Sequence, residues 1–228
     1  MPFKVKEPKE LTDLGPGNEV TFRLLVAQDE SWIDRVTRTG KNLPIRAASP
    51  PATPPNNSLP SIKITDIPDY SFTNELGQPV NLRQFTGKAV ALTFFFTRCP
   101  LPEYCPRLSR NFELASQKLN AMTQGPTNWQ LLSISFDPLD RPEILKAYGA
   151  QYHYDSNHWS FLTGQPDQIR ELTRGFGLSV TKDGFFYSHD FATAVFDATG
   201  RLQALWRIGG DTTDMLVSEI LKAAAAQN

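Results

Sequence analysis

The run Ala89 to Phe96, "AVALTFFF", admits few structures. It is far short of the ~20 apolar residues that span a bilayer. Its apolar side chains occupy successive rather than alternate positions, which predicts a strand covered on both faces and central in a sheet. "WQLLSISF", Trp129 to Phe136, repeats that pattern. Between the two, Leu108, Phe112, Ala115, Leu119 and Met122 step by four and three and line one helical face. Strand, helix and strand in that order require a parallel pair, hence an α/β core.

The rest of the chain after Ser61 extends that core. "DYSFTNELGQPVNLRQF" reads as a hairpin around Gly77, and "HWSFLT" as a third short strand. "DRPEILKAYGA" is a predicted helix with Asp140 as N-cap and Pro142 in its first turn. "QPDQIRELTRGFG" is another, ending near Gly175 or Gly177. "DFATAVFDATGRLQALWRI" is a hairpin about the Asp197–Gly200 turn, adding an antiparallel edge, and "DTTDMLVSEILKAAAAQ" is a closing amphipathic helix.

Upstream the pattern changes. "EVTFRLLVAQDESWIDRVTR", Glu19 to Arg38, alternates apolar and polar residues on either side of a turn at Gln28 to Ser31, as two strands of a small β domain do. Lys41 to Pro60 holds six prolines and no core-forming pattern, which predicts an extended linker. The expected division is therefore 1–40, a partial β segment; 41–60, a linker; and 61–228, an α/β domain.

Both cysteines of the chain, Cys99 and Cys105, lie in "FFFTRCPLPEYCPRLS", where the apolar strand gives way to the first helix. A structural disulfide, a redox pair, a soft-metal site and two inert thiols are all compatible with that placement. Pro106 suits a first helical position, which puts Cys105 at the N-cap. There the helix dipole and unpaired N–H groups favour a thiolate, and Arg98 and Arg107 add positive charge. Of the three histidines, His153 and His158 lie in the polar "QYHYDSNHW" and read as solvated loop residues. His189 opens the penultimate strand, near the C-terminal end of the first central strand, where open α/β sheets place their sites. It is either a ligand or a structural residue. Two thiolates and an imidazole suit copper, or zinc with a fourth ligand, for which there is no convincing candidate.

The formal net charge is −1 with no basic cluster, so nothing favours nucleic acid. Met1, Pro2 and Phe3 are followed by alternating lysines without an apolar leader, which taken alone places the chain in the cytoplasm.

"FTRCPLPEYCP", "ISFDPLDRPEILKAYG" and "YSHDFATAVFDATGRL" resemble, in order, three motifs of the SCO/SenC family, over roughly Ser61 to the C-terminus. The resemblance implies a thioredoxin-like fold and copper, as Cu(I) or Cu(II), bound by Cys99, Cys105 and His189. It implies a metallochaperone that delivers copper to cytochrome c oxidase or another copper or thiol protein, with redox activity of the cysteine pair. Asp137 matches an acidic residue near the family's site, or else is a strand-end turn residue, with Arg98 as a further supporting residue. One departure is plain: five residues stand between the cysteines where the family has three.

"MPFKVKEPKELTDLGPGNEVTFRLLVAQDESWIDRV" is similar to the second half of a CusF-type copper-binding β-barrel of OB-like form, with Met1 as the second methionine of a Met-x-Met pair. The chain thus looks N-terminally truncated. The expected location becomes periplasmic or otherwise extracytoplasmic, with room for a membrane anchor on the full-length form. Met1 and Trp32 are otherwise an initiator and a packing residue.

The competing reading is a thiol–disulfide oxidoreductase without metal delivery. His189 separates the two, since thiol exchange needs no imidazole there. An ordinary thioredoxin would show Cys-x-x-Cys and a proline before the penultimate strand, and neither is present. A peroxiredoxin-like peroxidase would place proline where Leu92 stands.

Overall fold

The computed structural model describes residues 3–28, 30–43, 63–183 and 186–226. They fall into two compact units. The first takes the N-terminal residues through 43 together with Pro100–Glu103; the second takes the remainder. Most of the predicted linker, 44–60, lies outside the described residues, as does Met1.

The first unit is a two-stranded antiparallel ribbon of β1 (Asn18–Val26) and β2 (Ser31–Asn42). Its far edge is partly filled near Ile33, whose N–H donates to the Lys4 carbonyl while Lys6 N–H donates back to Ile33. Arg23 grips Asp34 with both Nε and Nη2, at 2.8 and 2.6 Å. Trp32 is half-buried in this ribbon.

The second unit runs β3 (Phe72–Asn74), β4 (Pro79–Val80), β5 (Ala89–Phe95), α1 (Cys105–Asn120), β6 (Trp129–Ser135), α2 (Pro142–Gly149), β7 (Trp159–Gly164) and α3 (Pro166–Gly175). It continues with β8 (Val180–Asp183), β9 (Phe186–His189), β10 (Thr193–Phe196), β11 (Leu202–Trp206) and α4 (Thr213–Ala225). Seven strands form one sheet in the order β11-β10-β5-β6-β7-β3-β4. The β5–β6 and β6–β7 pairs are parallel; β10 and β3 flank them antiparallel. Every residue of β5 and β6 is buried. Alternate side chains of β5 serve opposite faces: Phe94 meets Phe176 after α3 at 5.5 Å, and Phe95 meets Tyr148 of α2 at 5.1 Å. Full burial of each such ring contributes on the order of 2–3 kcal/mol.

Local expectations meet mixed outcomes. Gly77 does turn the β3–β4 hairpin, at φ 77°. Leu108, Phe112, Ala115 and Leu119 are buried on α1, whereas Met122 lies beyond the helix end and is exposed. Asp140 is not the cap of α2: Arg141 holds that position without a side-chain bond, and the Asp140 carboxylate turns back to Thr97 and Ser135. Cys105 is the first residue of α1 rather than its N-cap, which is Tyr104. The β8–β9 hairpin has no counterpart among the expected elements. It forms its own two-stranded sheet, and His189 closes β9 instead of opening β10.

Candidate metal centre

The centre is assembled at the C-terminal ends of the parallel strands. β5 ends at Phe95, and a turn in which Cys99 N–H donates to the Phe96 carbonyl at 3.4 Å presents Cys99. Cys105 starts α1, the crossover helix that returns the chain to β6. The third donor arrives from the other side on β9. Cys105 Sγ lies 3.5 Å from His189 Nε2, and one ligand atom from each of Cys99, Cys105 and His189 lies within 4.8 Å of the others. All three residues are buried, Cys105 completely, and the cysteines are not joined by a disulfide. Bond lengths of about 2.0–2.3 Å put two donors on opposite sides of a shared ion roughly 4.6 Å apart at most. The three atoms are close enough together that they could hold one ion.

The imidazole is oriented by its own neighbourhood. His189 Nδ1 is 2.8 Å from the Asp190 carbonyl oxygen, which only accepts, so Nδ1 carries the proton. The Nε2 lone pair then faces the Cys105 sulfur, the tautomer a metal-binding imidazole requires. Aromatic rings wall the site: Phe136, Phe96, Tyr104 and Phe191 have centroids 5.1 to 6.1 Å from the His189 ring. Tyr104, from between the cysteines, stacks on Phe191 at 5.0 Å.

That enclosure overturns one expectation. Position at a helix start favours a thiolate, but burial of Cys105 dominates and pushes its thiol well above the ordinary range, with the Cys99 thiol adding to the rise. Burial thus works against the thiolate that the helix start would favour.

Beneath the donors lies an acidic pair. The Asp137 side chain is fully buried, and its Oδ2 accepts from Arg98 Nη2 at 2.6 Å and Nε at 3.1 Å. Its Oδ1 accepts from Leu139 N–H at 3.0 Å and from the Tyr187 hydroxyl at 3.4 Å. The Arg98 guanidinium is held more firmly protonated by this carboxylate. Asp140 binds Thr97 through both its amide and hydroxyl, at 2.9 and 2.6 Å, and its carboxyl is raised by burial. Arg98 is the residue before Cys99, and its ion pair links Asp137 to the cysteine loop. Thr97, Tyr104, Asp140 and Tyr187 also join this network or line the site; all four lie within the three motifs, but the sequence reading gives none of them a role at the site. Of the other histidines, exposed His153 faces Glu113 at 3.0 Å, while His158 stacks on Trp129 at 4.1 Å rather than standing in solvent.

Residues 63–225 match the SCO1/SenC family model. The chain belongs to the SCO1/SenC family. A SCO1 protein homolog of Bacillus subtilis is 30% identical over 100 residues, 43% of this chain and 49% of that one, so the match spans about half of the curated relative. Among solved structures, a SCO1/SenC family lipoprotein from Bacillus anthracis is 25% identical, covering 68% of this chain and 92% of its own, with a TM-score of 0.60. Arabidopsis thaliana ScoI with copper bound superimposes with a TM-score of 0.57 at 23% identity, over 67% of this chain and 96% of that one. The SCO1/SenC domain here therefore has the thioredoxin-like fold of Sco proteins. The family match starts at residue 63, so the β1–β2 ribbon stands outside it.

Proposed function

We propose that this SCO1/SenC protein carries copper, held by Cys99, Cys105 and His189. The observation that supports this best is the convergence of two sulfurs and an oriented imidazole nitrogen within 4.8 Å. Thiolates are soft donors that suit Cu(I), and an added imidazole accommodates Cu(II). Binding displaces the protons of both thiols, so uptake is favoured by rising pH. The extra residues between the cysteines do not keep the donors apart. In keeping with the family resemblance, the partner is a copper site of cytochrome c oxidase or another copper or thiol protein. The working location is extracytoplasmic, which the lipoprotein relative supports. The divisions 1–40, 41–60 and 61–228 are retained in this reading, with the first as a partial CusF-like segment.

The oxidoreductase alternative has the cysteines pass two electrons and two protons to a partner disulfide, leaving a Cys99–Cys105 disulfide behind. Burial of Cys105 and its raised thiol weigh against it, because the attacking species in exchange is the thiolate. Titration of the reduced protein with Cu(I), and spectroscopy of the Cu(II) form, test the assignment. One copper per chain with thiolate-to-copper charge-transfer absorption is the expected result. Reduced protein that binds no copper yet reduces disulfides reverses it.

A further inference from the structure

Two arms must meet to build this site, and they belong to different parts of the fold. Cys99 extends from β5, in the middle of the seven-stranded sheet. His189 sits on β9, which pairs with β8 in a separate two-stranded ribbon. No ladder of backbone hydrogen bonds joins that ribbon to the main sheet among the described residues, so side chains must fix its position. Tyr187 and His189 are two apart on one strand and share a face. The Tyr187 ring packs on Phe96 and Phe136 at 5.2 and 5.4 Å, which places it but does not set its register sharply.

Asp137 supplies a directional contact to both arms. Its Oδ2 takes the guanidinium of Arg98, the residue next to Cys99, and its Oδ1 takes the hydroxyl of Tyr187, two residues before His189. The carboxylate is itself immobilised at the end of β6 by Leu139 N–H, and Asp137 N–H donates to Ser135 Oγ at 3.1 Å. We infer that Asp137 is a positioning residue that ties the Cys99 loop, through Arg98, to the His189 ribbon, through Tyr187, and so sets where the imidazole meets the sulfurs. This rests on the copper reading for its function, but the tie is a property of the metal-free protein. It predicts an asymmetry. Loss of the tie loosens the imidazole more than the two sulfurs, which a short stretch of chain keeps together. Cu(II) binding, which needs the imidazole, should suffer; Cu(I) binding, which two thiolates satisfy, should change little.

The test uses Asp137→Asn and Tyr187→Phe in the whole chain, alone and together. In copper titrations, Asp137→Asn should weaken Cu(II) about 10–100-fold, the usual effect of removing a group that orients a ligand. Cu(I) should change less than about threefold. Tyr187→Phe should show a smaller Cu(II) loss, and the double variant should match Asp137→Asn alone, because both substitutions cut one connection. Amide hydrogen exchange of the copper-free protein is read in parallel. Residues of β8 and β9 should exchange faster in both variants while β5 and α1 keep wild-type protection. Should Asp137→Asn fail to fold, Tyr187→Phe, which spares the Arg98 pair, decides the question. Wild-type ribbon protection, or equal losses of Cu(I) and Cu(II), would overturn the inference. A wild-type protein that binds no copper would sink the functional reading alone, leaving the tie to stand or fall on exchange.

Discussion

Cys105 Sγ and His189 Nε2 lie 3.5 Å apart although 84 positions separate them in the chain. The contact closes a loop over two strands of the central sheet and the whole α2–α3 region. Neither residue reaches the other through a shared element. Cys105 is fixed by the first turn of α1, His189 by a ribbon aimed back across the strand ends.

His189→Ala should therefore separate the two oxidation states of copper. Cu(I) remains held by two sulfurs. Cu(II) loses its nitrogen donor and should bind weaker by roughly tenfold or more, with the charge-transfer band lost or strongly shifted. Competition titrations against chelators of each ion read the difference. Equal weakening of both ions would mean that His189 supports the fold of the site rather than the metal.

Cys105 should alkylate slowly. Its thiol is fully buried and raised, so at neutral pH it offers little thiolate and less access. Mass spectrometry of the reduced, metal-free protein should show Cys105 modified more slowly than an unstructured thiol. The sign for stability follows from the same shift. The folded pKa exceeds the unfolded value of about 8.5, so stability is intact below that value and is lost as pH climbs above it. Cys105→Ser should remove that alkaline loss. Urea midpoints at neutral pH and near pH 10 supply the check, and an identical alkaline loss in the variant would contradict the assignment.

Arg98→Ala leaves the fully buried Asp137 carboxylate without its charge partner. Breaking a buried pair costs ~3–5 kcal/mol, but Arg98 retains 44% side-chain exposure and its charge is partly screened. A loss of about 2 kcal/mol is expected in chemical denaturation. A change within about 0.5 kcal/mol would show that Asp137 finds compensation from Leu139 and Tyr187.

Gly149→Ala should destabilise although alanine is the better helix former. A Cβ there would lie 2.7 Å from Phe161 Cε2 and 3.0 Å from Tyr154 Cδ1, inside a packed group of rings. Overpacking of this kind costs about 1–3 kcal/mol, against a helix-propensity gain of ~1 kcal/mol. A raised melting temperature would show that Phe161 has room to retreat.

Where the physics is local, the sequence is readable. β5 and β6 announce themselves because burial on both faces removes the polar half of the usual alternation. The cysteine pair draws notice by its place where β5 gives way to α1, whereas His189, expected to open β10, instead closes β9, and the sequence pattern alone leaves it either a ligand or a structural residue. Capping is not. Asp140 looks like an N-cap, but its strongest partners are Thr97 and Ser135, brought near only by the parallel pairing of β5 and β6. The β8–β9 ribbon is hidden because its four-residue strands have no apolar alternation to separate them from the entry to β10. The state of the Cys105 thiol is hidden for a related reason. A helix start is visible in a sequence, whereas the rings of Phe96, Tyr104, Phe136 and Phe191 gather around the site only in three dimensions.

β5 holds hydrogen-bonded neighbours on both sides, β10 and β6, and every one of its residues is buried. Its amides should be among the last in the molecule to exchange with solvent, surrendered only in global unfolding. Partial openings begin instead at the margins, where β4 and β11 have a neighbour on one side only. Both sulfurs hang from the persistent middle of the molecule, directly after β5 and at the root of the helix that follows. The protein can thus breathe at its edges many times over while the two thiols stay in register with each other.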